Sequence, residues 1–293
     1  MGNKSGGSPG LHASERSVKA RRALALPGGG LRMSEGQRAP IMELRGISKR
    51  FGAVQALSDV NFEVYTGEVV GLVGDNGAGK STLIKTISGV YQPDSGEYFF
   101  EGRRVSVTSP RDATALGIET VYQDLALCDN LDVVGNLYLG REKAASGLGV
   151  LDEVAMEQTA KRVIGELGIP IPSVRSQIGT MSGGQRQGVA VTRAVMWTAR
   201  VVLLDEPTAA LGVTQTRQVK DLIVRLRERG LGVVVISHNL ADVFDVSDRI
   251  IVLRLGRRVA TFDTHAANPE QVVGAITGAV FGSAGGNGPV AMA

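Results

Sequence analysis

One glycine-rich segment constrains the fold of this chain more than any other feature. It reads Gly74-Asp75-Asn76-Gly77-Ala78-Gly79-Lys80-Ser81 and matches the pattern G-x-x-x-x-G-K-[ST] of a phosphate-binding loop. The apolar run Val69–Val73 precedes it and a helix-period segment begins at Lys80, which is the strand-loop-helix context that such a loop requires. Glycines let backbone N–H groups turn towards phosphate oxygens, and the helix N-terminus adds partial positive charge. The sequence therefore predicts a nucleotide-binding α/β domain.

The predicted nucleotide contacts run through this loop into the helix. Lys80 is expected to reach the β- and γ-phosphates, and Ser81 is expected to ligate Mg²⁺. The full predicted set is Gly74, Asp75, Asn76, Gly77, Ala78, Gly79, Lys80, Ser81 and Thr82.

Short apolar runs alternate with helix-period segments between residues 41 and 277, which we predict to be one domain. Several runs are apolar throughout, which is typical of strands buried on both faces of a parallel sheet. The predicted strands are Met42–Ile47, Val60–Tyr65, Val69–Val73, Tyr98–Phe100, Ile118–Tyr122, Val201–Leu204, Val233–Ser237 and Ile250–Arg254. The predicted helices are Lys80–Ser88, Asp152–Leu167 and Thr214–Arg229. A mainly helical insertion is expected over about residues 124–188.

The basic charge of the chain is concentrated at its N-terminal end. The 293 residues carry a formal charge of +3, while residues 1–40 hold seven basic and two acidic residues. This segment is rich in Gly, Ser and Pro and lacks apolar periodicity, so we predict a disordered tail rather than a nucleic-acid-binding fold. Residues 278–293 are also glycine-rich and are predicted to be a flexible tail.

Cysteine, histidine and hydropathy exclude several classes of protein. The only cysteine, Cys128, forms no internal disulfide, which favours a reducing compartment. Three histidines make a histidine metal cage unexpected. The longest apolar runs fall far short of the ~18 residues of a membrane span, and Pro27 ends a short apolar stretch before it resembles an export signal.

Two acidic residues and a histidine follow predicted strands. Val201–Leu204 runs into Asp205 and Glu206, and Val233–Ser237 runs into His238. Acidic residues at a strand end are often only a solvated turn, and a lone histidine there is usually a surface residue. Beside a phosphate-binding loop, however, such an aspartate suits the Mg²⁺ shell and the glutamate suits a general base for the attacking water. We therefore interpret these strand ends as part of the nucleotide site.

The segment Ser182-Gly183-Gly184-Gln185 allows a structural and a functional interpretation. Ser182-x-x-Gln185 is a capping box, which predicts the start of a helix that continues to about Ala199. A capped helix N-terminus with two glycines is also suited to bind an anion such as a γ-phosphate. Both interpretations are compatible.

The order of these motifs resembles that of the nucleotide-binding subunits of ATP-binding-cassette (ABC) transporters, over about residues 42–278. The resemblance implies a P-loop NTPase core with an antiparallel β subdomain and an α-helical signature lobe. It also implies ATP and Mg²⁺ as ligands. By the same resemblance, Phe51 stacks on adenine, although such a phenylalanine is more often a core residue. Gln123 contacts Mg²⁺ or water, and His238 contacts the γ-phosphate.

Two positions depart from the family pattern. Met181 stands where leucine usually begins the signature, a volume-conserving change of small expected effect. Gly212 replaces the usual aspartate in the loop after the catalytic carboxylates, so cross-talk between two sites in a dimer is expected to be weaker or differently organised.

The closer resemblance is to the ATPases of monosaccharide importers of the ribose, xylose and fructose type. It rests on Gly74–Gly77, Glu119–Gln123, Leu125–Leu127, Glu206–Val213 and Ser237–Asn239. With one copy of each motif, the chain is expected to form a homodimer in which the signature of one copy completes the site of the other. The resemblance implies that a transmembrane permease is the direct partner and that a periplasmic or extracellular sugar-binding protein acts through that permease. It also implies a peripheral location at the cytoplasmic face of the cell membrane and no nucleic-acid partner. Two alternatives to sugar import remain. One is an exporter or amino-acid cassette, and the other is an ABC protein that acts on DNA or ribosomes.

Overall fold

The structure is a computed structural model that describes residues 39–144 and 150–279. Most of both predicted tails, residues 1–38 and 280–293, therefore lies outside the described residues. Within the described ranges, no helix has both the length and the apolar composition needed to span a lipid bilayer.

Ten strands and eight α-helices form the described part of the chain. The strands are β1 Met42–Phe51, β2 Val54–Val64, β3 Val69–Val73, β4 Ser95–Phe100, β5 Arg103–Val105, β6 Ile118–Val121, β7 Val201–Asp205, β8 Gly232–Ile236, β9 Arg249–Arg254 and β10 Arg257–Asp263. The helices are α1 Lys80–Ile87, α2 Pro110–Ala115, α3 Val133–Tyr138, α4 Glu153–Glu166, α5 Gly183–Val195, α6 Val213–Glu228, α7 Leu240–Val246 and α8 Pro269–Thr277.

A six-stranded sheet in the order β10-β9-β3-β8-β7-β6 forms the centre of the domain. Its strands are parallel except for β10, which pairs antiparallel with β9 at one edge. Parallel strands direct their carboxyl ends to the same edge of a sheet, and ligands bind in α/β proteins at that edge. The segments that follow β3, β6, β7 and β8 are therefore brought to one edge of the sheet.

The uniformly apolar strands are buried because both faces of the central sheet are covered. On β7, Val202 and Leu204 pack with the helices, whereas Val201 and Leu203 pack towards the second sheet. All four side chains are fully buried. Since neighbouring residues of a strand point to opposite faces, a strand covered on both sides needs apolar residues at every position. The prediction of a doubly covered parallel sheet is confirmed.

A four-stranded antiparallel sheet in the order β2-β1-β4-β5 covers one face. Its inner side includes Val60, Phe62 and Val64, which alternate with more exposed residues along β2 and are fully buried. This alternation is the pattern of a sheet with one side in the core. It forms the antiparallel subdomain that the sequence resemblance implies.

Helices α3, α4 and α5 form a lobe on the other face. Met156, Ala160, Val163 and Ile164 of α4 are buried and share a core with β7 and β8. Asp152 caps α4 by accepting a hydrogen bond from the Ala155 N–H. Helices α3 and α4 lie within the predicted insertion of about residues 124–188, whereas α5 continues past it to Val195.

Several element boundaries differ from the sequence-based predictions. Strand β1 continues to Phe51 rather than ending at Ile47, and β2 begins at Val54 rather than Val60. The helix that begins after Ser182 ends at Val195 rather than near Ala199. Strand β6 ends at Val121 rather than Tyr122. The sequence-based predictions also missed β5 and β10, because β5 has only three residues and the burial of β10 alternates between exposed and half-buried positions.

A close approach of α7 to β3 requires glycine at position 71. A Cβ atom there would overlap Val243 Cγ1 and lie 2.9 Å from Ser247 Oγ. We expect Gly71→Ala to lower the free energy of unfolding by about 1–3 kcal/mol, the usual cost of overpacking a core. Urea denaturation measures this change.

The matched control for this substitution is Gly165→Ala. Gly165 lies inside α4, and a Cβ atom there would meet no atom within 4 Å. Because alanine favours helix over glycine by about 1 kcal/mol, this variant should gain stability. Equal effects of the two substitutions would contradict the proposed packing of α7 on β3.

Candidate functional site

The phosphate-binding loop connects β3 to α1 at the carboxyl edge of the central sheet. Gly74, Gly77 and Gly79 have positive φ angles of 153°, 78° and 104°, which side chains rarely allow. A Cβ atom on Gly79 would also lie 2.8 Å from the carbonyl oxygen of Ala56. The glycines at these positions are therefore required by the backbone of the loop.

Lys80 extends back over this loop. Its Nζ donates hydrogen bonds to the carbonyl oxygens of Gly74 at 2.7 Å and Asp75 at 3.1 Å. Burial lowers the pKa of the Lys80 ammonium, while the carboxylates of Glu206, Asp75 and Asp205 oppose that shift. Three acidic groups, one in the loop and two at the end of β7, thus lie close enough to act on one lysine.

Glu206 and His238 are in direct contact. Glu206 Oε2 lies 2.9 Å from His238 Nδ1, the glutamate side chain being 17% exposed and the histidine 75% exposed. The first follows β7 and the second follows β8, which are hydrogen-bonded neighbours in the sheet. The structure thus brings these two predicted site residues together, and the exposed imidazole is accessible to a ligand.

The backbone at Glu206 adopts an unusual conformation. Its φ angle is +51°, and its N–H donates to the carbonyl oxygen of Ile236 at 2.9 Å. A non-glycine residue in this region stores about 1–3 kcal/mol of strain and occurs most often at functional sites. The hydrogen bond to β8 holds the strained residue beside the histidine.

A cleft of about 440 Å³ lies next to these groups. Its lining includes Gly74, Asp75 and Asn76 of the phosphate-binding loop, together with Ser237 and His238. The loop and the histidine thus face a common space.

Ser81 and Asp205 provide oxygen donors that suit a hard divalent cation such as Mg²⁺. Ser81 is exposed at the start of α1, and Asp205 is half-buried at the end of β7. Burial, reinforced by the neighbouring Glu206 charge, raises the pKa of the Asp205 carboxyl. A cation bound there would offset the cost of that desolvated charge, so the residues fit the predicted metal.

Asp205→Asn should raise the melting temperature of the nucleotide-free protein at pH 7. A pKa that is raised on folding means that the ionised carboxylate is less stable in the folded protein than in the unfolded chain, so neutralising it removes a cost. The gain should shrink as the pH falls through the pKa of Asp205, because the wild-type carboxyl then becomes neutral too. Thermal denaturation as a function of pH measures both effects.

Asp221→Asn is the control, since this carboxylate lies at an exposed position of α6. It should leave the melting temperature nearly unchanged. A lower melting temperature for Asp205→Asn at pH 7 would contradict the account of Asp205.

The segment Ser182–Gln185 begins α5 with the predicted capping box. Gln185 N–H donates to Ser182 Oγ at 3.4 Å, and Ser182 N–H donates to Gln185 Oε1 at 3.0 Å. The Gln185 amide also donates to the carbonyl oxygen of Pro170 at 2.7 Å. The structural interpretation of this motif is confirmed, and Ser182 itself remains exposed.

The two signature glycines permit close packing against α6 and the loop before it. A Cβ atom on Gly183 would lie 2.7 Å from Leu211 Cδ2, and one on Gly184 would lie 3.1 Å from Gln215 Cβ. Within residues 39–144 and 150–279, no hydrogen bond or ion pair joins Ser182–Gln185 to the phosphate-binding loop, Glu206 or His238. In these ranges the signature therefore has no polar link to the phosphate-binding loop of its own chain.

Gln123 is exposed and lies two residues beyond β6. The segment that follows it is held by the side chains of Arg193 and Asn136, which were not predicted from the sequence. Arg193 of α5 donates to the carbonyl oxygens of Ala126 at 2.7 Å and Leu125 at 2.8 Å. Buried Asn136 of α3 accepts from the Cys128 N–H at 2.7 Å. The segment after Gln123 is thus fastened to the helical lobe.

A groove of about 280 Å³ borders this segment. Its lining includes Tyr122, Leu125, Leu139, Arg193 and Trp197. The groove therefore lies between the end of β6 and the helical lobe.

Phe51 ends β1 and is 41% exposed. It packs edge-on against Tyr91, with ring centroids 5.0 Å apart. Its partly exposed ring is available for stacking, so the core alternative weighed from the sequence does not describe it.

Comparison with known proteins gives a consistent assignment. The family model described as ABC transporter matches residues 57–209. The fructose import ATP-binding protein FrcA of Rhizobium meliloti is 47% identical over 82% of this chain and 95% of its own length. The xylose/arabinose import ATP-binding protein XylG of Sulfolobus acidocaldarius is 45% identical over 83% of this chain and 96% of its own length. Among solved structures, the chain resembles a dimeric bacterial ABC transporter cassette with a TM-score of 0.64 and 25% identity, over 76% of this chain and 98% of that one.

Proposed function

Because this chain belongs to the ABC transporter family and is an ATPase of that family, we propose that it powers the import of a monosaccharide through a separate permease. This proposal is supported mainly by a sequence identity of 45–47% to two sugar import ATP-binding proteins, over nearly their whole length. The two relatives are named for fructose and for xylose or arabinose, so the proposal extends to the class of monosaccharides and to no single sugar.

The nucleotide is held by the phosphate-binding loop and Phe51. Backbone N–H groups of Gly74–Gly79 and the N-terminus of α1 bind the phosphates, and Lys80 replaces its contacts to the carbonyl oxygens of Gly74 and Asp75 with phosphate oxygens. Ser81 and Thr82 extend this cradle into the first turn of α1. Phe51 stacks on adenine through its exposed ring face.

Hydrolysis uses the groups that follow the strands. Glu206 accepts a proton from the attacking water, and the adjacent His238 contacts the γ-phosphate and orients the pair. Ser81, Asp205 and Gln123 would hold Mg²⁺, which would neutralise negative charge on the phosphates. The 2.9 Å contact between Glu206 and His238 supports this assignment.

The site is completed by a second copy of the chain in the ATP-bound state. Ser182 is exposed, and among the described residues its motif has no hydrogen bond to its own phosphate-binding loop, which leaves the capped N-terminus of α5 available to face the γ-phosphate of a partner. The similar solved cassette is described as dimeric. Two copies related by a two-fold axis then form two equivalent sites.

The permease binds at the groove beside Gln123–Leu139. This surface joins the segment after Gln123 to the signature helix through Arg193, so a movement of either part reaches the other. The protein then works as a peripheral subunit at the cytoplasmic face of the membrane, and a sugar-binding protein outside acts through the permease.

The ATPase rate of the chain co-expressed with its permease tests this proposal. One monosaccharide, added with its binding protein, should stimulate the rate, whereas amino acids should not. Glu206→Gln in the same complex is the control for background hydrolysis. Stimulation by an amino acid or by an exported compound, and none by any sugar, would contradict the proposal and favour another class of transporter.

A further inference from the structure

A buried carboxylate connects the two loops that carry the proposed hydrolytic pair. Asp242 lies on α7 and is 8% exposed. Its Oδ2 accepts a hydrogen bond from Thr208 Oγ1 at 2.9 Å and another from Asn239 Nδ2 at 3.0 Å. Thr208 belongs to the segment after β7, and Asn239 to the segment after β8. One oxygen atom therefore joins two segments that are distant in sequence.

Each donor lies next to a residue of the site. Thr208 is two residues beyond Glu206, and Asn239 directly follows His238. The two segments that Asp242 connects are thus the segments that contain Glu206 and His238, whose side chains lie 2.9 Å apart.

We propose that Asp242 is a positioning residue for ATP hydrolysis. Its carboxylate keeps Glu206 and His238 next to each other by accepting hydrogen bonds from Thr208 and Asn239. The inference rests on the proposed roles of Glu206 and His238. Asp242 acts through its neighbours and does not touch the nucleotide.

The surroundings of the pair explain why such a connection is needed. His238 is 75% exposed, so packing does little to fix its ring. Glu206 has a strained backbone with a φ angle of +51°, a conformation that persists only where neighbouring structure enforces it. The hydrogen bonds to Asp242 add a second restraint, from α7, to the one that the Glu206 N–H forms with the Ile236 carbonyl oxygen.

The chemistry of the connection suits a carboxylate. A carboxylate oxygen accepts two hydrogen bonds, and bonds to an ionised acceptor are stronger than neutral ones. Lys220 Nζ of α6 lies 3.3 Å from Asp242 Oδ1, which compensates the buried charge. Asn239 uses its other side-chain atom, Oδ1, to accept from the Ala241 N–H. Both polar atoms of the Asn239 side-chain amide therefore form hydrogen bonds.

The neighbouring Asp245 provides a matched control. It lies on the same helix and pairs with the same lysine, with Asp245 Oδ2 2.6 Å from Lys220 Nζ. Its side chain is 59% exposed, and its hydrogen bond to Lys220 links it to neither loop. Removing either carboxylate takes one partner from Lys220, but only removal of Asp242 frees the loops.

The test compares Asp242→Ala with Asp245→Ala in the full-length chain. Three quantities are measured for each: the maximal ATPase rate, the dissociation constant of a fluorescent ATP analogue, and the melting temperature. We expect Asp242→Ala to reduce the maximal rate at least about tenfold, since small misplacements of reacting groups cost up to about 10²-fold. The dissociation constant should change little, because the phosphate-binding loop is untouched. Asp245→Ala should keep the wild-type rate.

Substitutions of Thr208 keep the inference testable if Asp242→Ala folds poorly. Thr208→Val removes the hydroxyl and keeps the shape of the side chain, so its rate should fall, whereas Thr208→Ser retains the donor and should keep most of the activity. The double variant Thr208→Val with Asp242→Ala should be no slower than the slower single variant, because both changes break one connection.

Three outcomes would overturn the inference. They are a rate loss in Asp245→Ala equal to that in Asp242→Ala, equal rates for Thr208→Val and Thr208→Ser, and additive losses in the double variant. Failure of the underlying assignment is distinguishable, because Glu206→Gln would then retain turnover. If Glu206→Gln is inactive and Asp242→Ala matches Asp245→Ala, only the positioning role is wrong.

Discussion

Replacing Glu206 with glutamine should reduce ATP turnover by about 10² or more while leaving ATP affinity close to that of the wild type. The amide has the size of the carboxylate but cannot take a proton from water. The loop that holds the phosphates, with Lys80 bonded to Gly74 and Asp75, is a separate element and stays intact. The variant should therefore bind ATP and stall before hydrolysis.

Stalling has a second observable consequence. Because the ATP-bound state is proposed to be a dimer, Glu206→Gln should accumulate as a dimer when it is sized in solution with ATP. The control is Glu228→Gln, at an exposed position near the end of α6, which should hydrolyse ATP normally and not accumulate. Near-normal turnover of Glu206→Gln would remove Glu206 from the role of general base.

Lys80→Ala and Ser182→Arg should each abolish ATP hydrolysis, for different reasons. The first removes the ammonium that we propose holds the β- and γ-phosphates. The second places a bulky cation on the exposed N-terminus of α5, where it would block the surface that we propose faces a partner's nucleotide. Steady-state ATPase assays on each purified variant measure the two losses.

Two controls separate these effects from loss of structure. Lys85→Ala removes a lysine from the same helix α1, where Lys85 Nζ lies 5.5 Å from the ring centroid of Tyr91, and should retain activity. Ser182→Ala removes the capping hydroxyl at a cost of about 1 kcal/mol without adding bulk. If Ser182→Ala were as inactive as Ser182→Arg, loss of the helix cap rather than blocking of an interface would be the cause.

The sequence predicted the central sheet and the strand-end residues well because strong local signals mark them. A strand covered on both faces must be apolar throughout, so Val69–Val73 and Val201–Asp205 were predicted within one residue of their observed ends. In the structure, Glu206 and His238 lie side by side at the ends of the parallel strands β7 and β8.

Four short helices, α2, α3, α7 and α8, were not predicted individually. Two of them have clear start signals in the sequence. Ser109-Pro110-Arg111-Asp112 forms a capping box that begins α2, and Asn268-Pro269-Glu270-Gln271 forms one that begins α8. Both combine a capping residue with proline at the first helical position, which is typical of helix starts. Short helices carry little apolar periodicity, so the capping pattern was the signal that could have found them.

The contacts that position the site could not be predicted from the sequence. Asp242 meets Thr208 across 34 residues, and Arg193 meets Ala126 across 67 residues. Such side-chain contacts depend on how α5 and α7 pack against loops that are distant in the chain. No local pattern of residue types encodes them, whereas strand burial and helix capping are local.

Mixing the two inactive variants distinguishes two ATP sites shared between copies of this chain from two separate ones. A mixed dimer of Lys80→Ala and Ser182→Arg has one site with both defects and one site with neither. Random pairing makes half of the dimers mixed, each with one good site of two, so independent sites should restore roughly a quarter of the wild-type turnover. No recovery in a mixture in which mixed dimers are shown to form would contradict the shared site.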